Sequence, residues 1–151
     1  MSVTAETPFL VIEADVSRPV DLGHTGAGAR RVIPITGGRV TGEVEGEIIP
    51  GGADWQVIHD DGNLQIDAHY AFRTAAGEVV EVHSAGVRQA APEVMARLNA
   101  GEKVDPSEYY FRTAMRFTTG APALAHFNFR LAVARGMRRP GGVRLEVFAV
   151  V

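Results

Sequence analysis

Cysteine is absent from this chain of 151 residues. Its absence excludes disulfide bonds, thiolate metal sites and a cysteine nucleophile. The sequence also has no apolar run near the roughly 20 residues that span a bilayer, and the first residues, Met1 to Glu6, lack the basic and apolar regions of a secretion signal. We therefore expect a cytoplasmic protein with no membrane partner.

Positive charge is neither abundant nor clustered. The chain has 15 Lys and Arg against 18 Asp and Glu, a formal net charge of -3. Proteins that bind nucleic acids concentrate Lys and Arg on one face, so we expect no nucleic-acid partner. A Gly-x-Ser-x-Gly elbow, a phosphate loop and a complete dinucleotide fingerprint are also lacking. We accordingly expect no cofactor.

The histidines do not have the spacing of a metal site. Zinc ligands on one element recur at i, i+2 on a strand or i, i+4 on a helix, and no pair of the five histidines has either spacing. His69 and His83 are candidates for cross-strand neighbours, and such a pair can bind metal. Exposed or packing histidines are the favoured interpretation, so we expect no metal.

Glycine is abundant, with 17 residues, and it separates short stretches rich in Val, Ile, Phe and Tyr. This punctuation is typical of an all-β chain. One stretch, Pro92 to Gly101, instead has Pro at its start, apolar residues at helical spacing and Gly at its end, which predicts a short helix. No linker divides the chain, so we expect one domain over residues 1–151. The predicted strands are Leu10 to Val16, Arg39 to Ile49, Leu64 to Thr74, Val79 to Gln89, Tyr109 to Thr118, Phe127 to Arg135 and Val143 to Val150.

Seven or eight such strands form either a sandwich or a closed barrel. Side chains alternate between the two faces of a strand. In Gln65 to Thr74 one face is polar, and the other is apolar except for the phenol of Tyr70 and the hydroxyl of Thr74. Polar tips on an apolar wall suit the interior of an eight-stranded barrel that holds one small ligand. We therefore favour a single antiparallel β-barrel of about eight strands with one short helix.

Four motifs occur in order along the chain: Gly28 to Gly38, Pro50 to Trp55, Asp105 to Thr113, and the tail around Asn128 and Gly136 to Pro140. Together they resemble a bacterial and fungal family known as domain of unknown function 3237, or uncharacterised protein family 0311. The resemblance implies a barrel similar to allene oxide cyclase and the calycins, with an internal pocket, and it implies no agreed activity. The chain departs from the family pattern at Ala123 to Phe127, where an aromatic residue followed by Trp-Leu is common.

The second motif gives the first candidates, Asp54 and Trp55. They follow the pair Gly51-Gly52, which allows a sharp turn, so we expect the glycines to end a strand and aim both side chains at the barrel rim. Asp54 is then a general base or hydrogen-bond acceptor, and Trp55 is a flat pocket wall. The alternative is that Asp54 caps a turn and Trp55 belongs to the core.

The other candidates come from strands and motif positions. Arg112 either extends outward or points inward and is paired, with Asp54 or Glu108 as partner. Arg31 is preferred to Arg30 from its motif position, although a solvated arginine is an equal alternative. The full set comprises the catalytic candidates Asp54, Tyr70 and Arg112 and the ligand-binding candidates Arg31, Trp55, Tyr110 and Asn128.

These residues suit three kinds of function. The first is a cofactor-independent isomerase, cyclase or lyase, in which Asp54 or Tyr70 moves a proton and Arg112 with Asn128 steadies an oxyanion. The second is a lipocalin-like protein that binds a small-molecule ligand without reaction. The third is a filled barrel that acts through a homo-oligomeric surface. A carboxyl or phenol with a perturbed pKa inside the pocket distinguishes the enzyme.

Overall fold

The computed structural model describes all 151 residues and contains nine strands and one α-helix. Two short 3-10 segments, Pro106–Glu108 and Pro122–Phe129, flank strand β7. No helix is long and apolar enough to cross a membrane. The elements are β1 Leu10–Val16, β2 Val20–Thr25, β3 Gly28–Gly42, β4 Gly46–Ile58, β5 Leu64–Thr74, β6 Val79–Gln89, α1 Pro92–Asn99, β7 Tyr110–Thr118, β8 Ala132–Arg139 and β9 Gly142–Ala149.

The strands form a closed antiparallel barrel. Eight of them follow one another in the order β1-β9-β8-β7-β6-β5-β4-β3, and β1 then pairs with the second half of β3 to close the ring. Strand β2 pairs with the first half of β3 and is the ninth, additional strand. Closure gives each of the eight strands two hydrogen-bonded neighbours. The prediction of an all-β barrel of about eight strands with one short helix is confirmed.

Two predicted strands have wrong boundaries. The prediction of one strand from Arg39 to Ile49 is wrong, because the chain reverses after Gly42 and β4 begins at Gly46. Gly42 has a φ of 119°, a conformation that glycine accepts readily. The prediction of a strand from Phe127 to Arg135 is also wrong, since its first residues lie in a 3-10 segment and β8 begins at Ala132.

Aromatic side chains fill one end of the barrel, here called the closed end. Phe9, Phe117 and Phe127 pack edge to face, with ring centres 5.6 to 5.9 Å apart. Phe127 is carried by the 3-10 segment Pro122–Phe129 and is fully buried. Such T-shaped contacts are favoured by the charge distribution of aromatic rings. This cluster leaves the opposite end as the place for a cavity.

Helix α1 packs at that opposite end, here called the open end. Val94, Met95 and Leu98 form its buried face, and Pro92 occupies the first turn. The predicted helix is confirmed. The strands β1, β4, β6 and β8 finish at the open end, and β3, β5, β7 and β9 start there, because neighbouring strands are antiparallel. The side chains near these strand ends surround the cavity.

Candidate functional site

A cavity of about 340 Å³ occupies the open end of the barrel. Its volume lies within the roughly 300–1,000 Å³ of small-molecule sites. Apolar side chains cover much of the wall, among them Ile33, Ile35, Leu64, Ile66, Phe111 and Leu145. The polar side chains that interrupt this wall are Ser17, Arg31, Asp54, Gln56, Tyr70, Ser84, Arg88, Asn99, Thr113, Arg138 and Arg139.

Strand register explains why these polar side chains meet. Arg31 on β3 lies opposite Gln56 on β4, and Gln56 lies two residues after Asp54 on the same face. Asp54 in turn pairs with Ala68 on β5, which pairs with Ser84 on β6. Antiparallel pairing keeps directly opposed residues on the same face of the wall. Arg31, Gln56, Asp54 and Ser84 therefore share the inner wall, with the apolar Ala68 between Asp54 and Ser84.

A chain of hydrogen bonds holds the carboxylate of Asp54. The Nε atom of Arg31 donates to Oε1 of Gln56 at 2.7 Å, and Nε2 of Gln56 donates to Oδ2 of Asp54 at 2.7 Å. The backbone N–H of Asp67 donates to Oδ1 of Asp54 at 3.1 Å. Burial raises the pKa of Asp54 above its usual value, although these hydrogen bonds and the charge of Arg31 act in the opposite direction.

Tyr70 brings a buried hydroxyl to the same wall. Its oxygen has no hydrogen-bond partner. Burial, and secondarily the charge of Asp54, raise the pKa of Tyr70 well above its usual value, so the hydroxyl keeps its proton and can donate it in a hydrogen bond. Gly52 makes room for this ring, because a Cβ there would lie 2.4 Å from the Cβ of Tyr70.

Two arginines of the cavity lining, Arg88 and Arg138, contact the end of helix α1. Arg88 is only 5% exposed; Nη2 donates to Oδ1 of Asn99 at 3.2 Å, while Nε is buried without a partner. Burial, followed by the charges of Arg138 and Arg31, lowers the pKa of Arg88 to about 10. Arg138 donates from its guanidinium to the carbonyl of Leu98. The site thus holds more positive than negative charge.

Comparison with known proteins shows the family of the chain. The chain matches the family described as "Protein of unknown function (DUF3237)" over residues 5–150. The chain belongs to this family. It is 40% identical to a UPF0311 protein of Bradyrhizobium diazoefficiens, with 100% of each chain covered. Its resemblance to DUF3237 is therefore confirmed over nearly the whole length.

Solved structures extend the comparison. A conserved protein of unknown function from Rhodopseudomonas palustris is 36% identical and superposes with a TM-score of 0.92, covering 100% of this chain and 99% of that one. A structure described as an enzyme from Penicillium herquei is 17% identical, with a TM-score of 0.75 and coverage of 100% and 97%. At 17% identity this second likeness shows the fold alone.

Of the DUF3237 motif Pro50 to Trp55, only Asp54 lines the cavity. Trp55 lies on the outer face of β4 and is 45% exposed, so its expected place as a pocket wall is wrong. Adjacent residues on a strand point to opposite faces, and Asp54 already points inward. The pair Gly51-Gly52 does not end a strand either. It lies in a register shift within β4, which continues to Ile58.

Tyr110 and Arg112 also lie outside the barrel. They share the outer face of β7, where the guanidinium carbon of Arg112 is 4.9 Å from the ring centre of Tyr110. Arg112 donates to the carbonyl of Phe111 at 2.9 Å, and Tyr110 is 52% exposed. Neither side chain lines the cavity, and the inward positions of β7 are occupied by Phe111 and Thr113. Arg112 thus extends outward, which was one of its two alternatives, and it forms no ion pair with Asp54 or Glu108.

Asn128 lies far from the cavity residues, in the 3-10 segment at the closed end. Its Oδ1 accepts a hydrogen bond from the backbone N–H of Thr119 at 2.8 Å, and its Nδ2 donates to the carbonyl of Thr119 at 2.9 Å. Both polar atoms of the amide are thus engaged by a local loop, and it does not line the cavity. Of the seven candidate site residues, the cavity brings together Arg31, Asp54 and Tyr70.

The histidine pair is where cross-strand spacing predicts it. His69 and His83 are direct neighbours on β5 and β6, with ring centres 6.1 Å apart. Both lie on the outer face, where Nε2 of His69 is 2.5 Å from a carboxylate oxygen of Glu81 and that of His83 is 2.7 Å from Asp67. No group of three or more His, Asp and Glu side chains is arranged to hold a metal ion.

Sequence reasoning missed Arg88, Gln56 and Arg138. A usable signal existed for Arg88, because strand alternation places it on the same face as Val80 and Val82, which are fully buried. An arginine on such a face is expected to be buried and therefore functional or paired. Gln56 is identified in the same way, two residues after Asp54.

Proposed function

We propose that this protein is a cofactor-independent enzyme, an isomerase, cyclase or lyase that moves a proton on a small, partly apolar molecule held in the cavity. The supporting observation is the presence of two such groups in the lining of one cavity. Asp54 is a buried carboxyl whose pKa is raised, and Tyr70 is a buried phenol whose hydroxyl has no partner. Perturbed carboxyl groups in clefts are typical of acid–base sites.

Asp54 is the proton acceptor in this proposal. A raised pKa brings a carboxylate closer to the working pH, where a general base is most effective. Gln56 holds one of its oxygens, and the bond from Arg31 fixes the amide of Gln56 so that its nitrogen faces Asp54. The carboxylate is therefore kept in one orientation, as proton transfer requires.

Tyr70 complements Asp54 by stabilising developing negative charge. When Asp54 takes a proton from carbon, the electron pair moves onto a neighbouring carbonyl oxygen, which becomes an enolate. The Tyr70 hydroxyl, which remains protonated, donates a hydrogen bond to that oxygen. Return of the proton to another atom gives isomerisation, departure of a group gives a lyase reaction, and attack within the same molecule gives cyclisation.

The second candidate is a lipocalin-like binding protein. The largely apolar wall favours it, because such a wall holds a hydrophobic ligand without chemistry. The unpartnered Tyr70 hydroxyl serves either function, so turnover is the quantity that separates them.

Deuterium uptake tests catalysis while the substrate is still unidentified. Purified protein is incubated in D2O with a small-molecule extract of bacterial cells, and the extract is examined by mass spectrometry. We expect the wild type to label or convert at least one metabolite and Asp54→Asn to lose this ability. Glu47→Gln, which removes an exposed carboxylate from the same strand, is the matched control. Metabolite binding by the wild type without labelling or conversion would favour the binding protein.

A further inference from the structure

We infer that the ligand of the cavity carries a carboxylate group, and that Arg88, assisted by Arg31 and Arg138, binds it at the open end of the barrel. The inference deepens the proposed function, because it takes Asp54 and Tyr70 as the groups that face the reacting part of the same molecule. Arg88 is then the anchor that selects an anionic substrate.

Charge around the cavity is unbalanced. Asp54 is the sole carboxylate among the lining residues, whereas four arginines line the cavity. Arg139 is neutralised outside it by Asp15, with 2.5 Å between Nη2 and a carboxylate oxygen. Arg31, Arg88 and Arg138 form no ion pair within 4.0 Å. A bound anion would restore the balance.

Arg88 is deeply buried, and its guanidinium lacks an ion-pair partner. Its side chain is almost completely buried and makes a single hydrogen bond, to Asn99, while Nε has none. A buried charge destabilises a protein unless it is paired or hydrogen-bonded. The planar fork of a guanidinium matches the two oxygens of a carboxylate. A carboxylate in the cavity would supply the missing partner for Nε.

The surroundings of Arg88 favour a carboxylate over a phosphate. Phosphate sites are commonly built from backbone N–H groups at helix N-termini, whereas α1 presents its C-terminal end here through Leu98, Asn99 and Gly101. The negative end of a helix dipole disfavours a doubly charged anion more than a singly charged one. The apolar wall also favours a ligand that has an apolar organic part.

Register sets the distance between the anchor and the reacting groups. Arg88 and Ser84 lie four residues apart on β6, and Ser84 is aligned through Ala68 with Asp54. Four residues span roughly 13 Å along a strand. Asp54 also lies two strands away from Ser84 around the wall, roughly 10 Å at about 4.8 Å per strand. The arginine and aspartate side chains both extend into the cavity and shorten this separation, so the ligand has a ring or a short carbon chain between its carboxylate and the atom that loses its proton.

Calorimetric titration with matched probes tests the anchor. The probes are 2-naphthoate, its neutral amide 2-naphthamide, and 2-naphthyl phosphate. We expect the wild type to bind 2-naphthoate at least about tenfold more tightly than the amide, since a charged hydrogen bond contributes at least about 1.5 kcal/mol. Arg88→Gln is expected to erase this preference, and Arg88→Lys to retain part of it. Arg116→Gln, on the outer face of β7, is the control and should behave like the wild type.

Several outcomes would overturn the inference. Equal affinity for 2-naphthoate and 2-naphthamide, a preference that survives in Arg88→Gln, tighter binding of the phosphate, or binding of no probe would each contradict a carboxylate anchor. Deuterium uptake that depends on Asp54 would still support the proposed function in all these cases. Thermal unfolding of Arg88→Gln checks the fold, and we expect no loss of stability because an unpaired buried charge is removed.

Discussion

Asp54 and Trp55 are adjacent in β4, but their side chains lie on opposite sides of the barrel wall. Asp54 lines the cavity, and Trp55 is exposed on the outer face. The barrel wall is a single β-sheet, so the alternating direction of side chains along β4 decides which of the two residues contacts a ligand in the cavity. The sole tryptophan of the chain is consequently a reporter of the outer surface.

Trp55→Phe is expected to leave ligand binding unchanged. The substitution affects an exposed site, where changes in the free energy of unfolding usually stay within about 0.5 kcal/mol. Calorimetric titration with 2-naphthoate should give the same affinity as the wild type, and acrylamide should quench the wild-type indole readily. An affinity loss of more than about tenfold would place Trp55 in the binding site after all.

Gly52→Ala is expected to destabilise the protein and displace Tyr70. The added Cβ would meet the Cβ of Tyr70 at 2.4 Å and the carbonyl oxygen of His69 at 2.8 Å. Overpacking of this kind typically costs about 1–3 kcal/mol. Chemical denaturation measures the loss. Gly120→Ala is the control, because a Cβ there has no neighbour within 4 Å, and equal stability of the two variants would refute the close contact at Tyr70.

Phe127→Ala is expected to weaken the closed end severely. Phe127 is fully buried against Phe9 and Phe117, and truncation of such a ring costs about 3–5 kcal/mol. Phe129→Ala removes a ring that is 89% exposed, two residues away, and should change stability by less than about 0.5 kcal/mol. Similar losses in the two variants, measured by denaturant unfolding, would contradict the placement of the 3-10 segment.

Tyr70→Phe is expected to abolish most turnover while preserving the fold. The hydroxyl has no partner, so its removal leaves no other group unsatisfied and should not lower the free energy of unfolding. Loss of one oxyanion donor typically slows catalysis by about 10²–10³-fold. Rates of deuterium uptake, compared with those of the wild type, provide the measurement. Unchanged rates would remove Tyr70 from the proposed chemistry.

Much of the fold is predictable because its strands are amphipathic. β1, β5 and β6 can be delimited to the residue, since glycines or turn residues bound each run and apolar residues alternate within it. β3 and β4 cannot, because their internal glycines look like chain breaks. Gly38 is instead required inside β3, where a Cβ would lie 2.1 Å from the carbonyl oxygen of Glu13 on β1.

The site is less predictable than the fold, for two physical reasons. Membership of a motif does not say on which side of the wall a residue lies, and Trp55, Tyr110 and Arg112 lie outside for that reason. Burial of an arginine depends on neighbours from distant strands, which a single strand cannot reveal. Consistent use of alternation would have selected Arg88 and rejected Trp55.

Acidification is expected to stabilise the wild type relative to Asp54→Asn. The pKa of Asp54 is raised in the folded protein, so its contribution to stability is fully present below the unfolded pKa of 3.8 and is lost as pH rises through the folded value. Asp54→Asn does not titrate. Its free energy of unfolding relative to the wild type should therefore increase from acidic to neutral pH in denaturant titrations. A difference that is constant across this range, or that decreases towards neutral pH, would show that the pKa is not raised.

The proposed chemistry depends most directly on the ionisation of Asp54, which side-chain ¹³C NMR can follow across pH in the intact protein. Assignment of the carboxyl signal comes from its disappearance in Asp54→Asn. We predict a titration midpoint above that of an unperturbed aspartate, because burial outweighs the hydrogen bonds from Gln56 and Asp67. A midpoint at or below the unperturbed value would contradict Asp54 as the proton acceptor of this cavity.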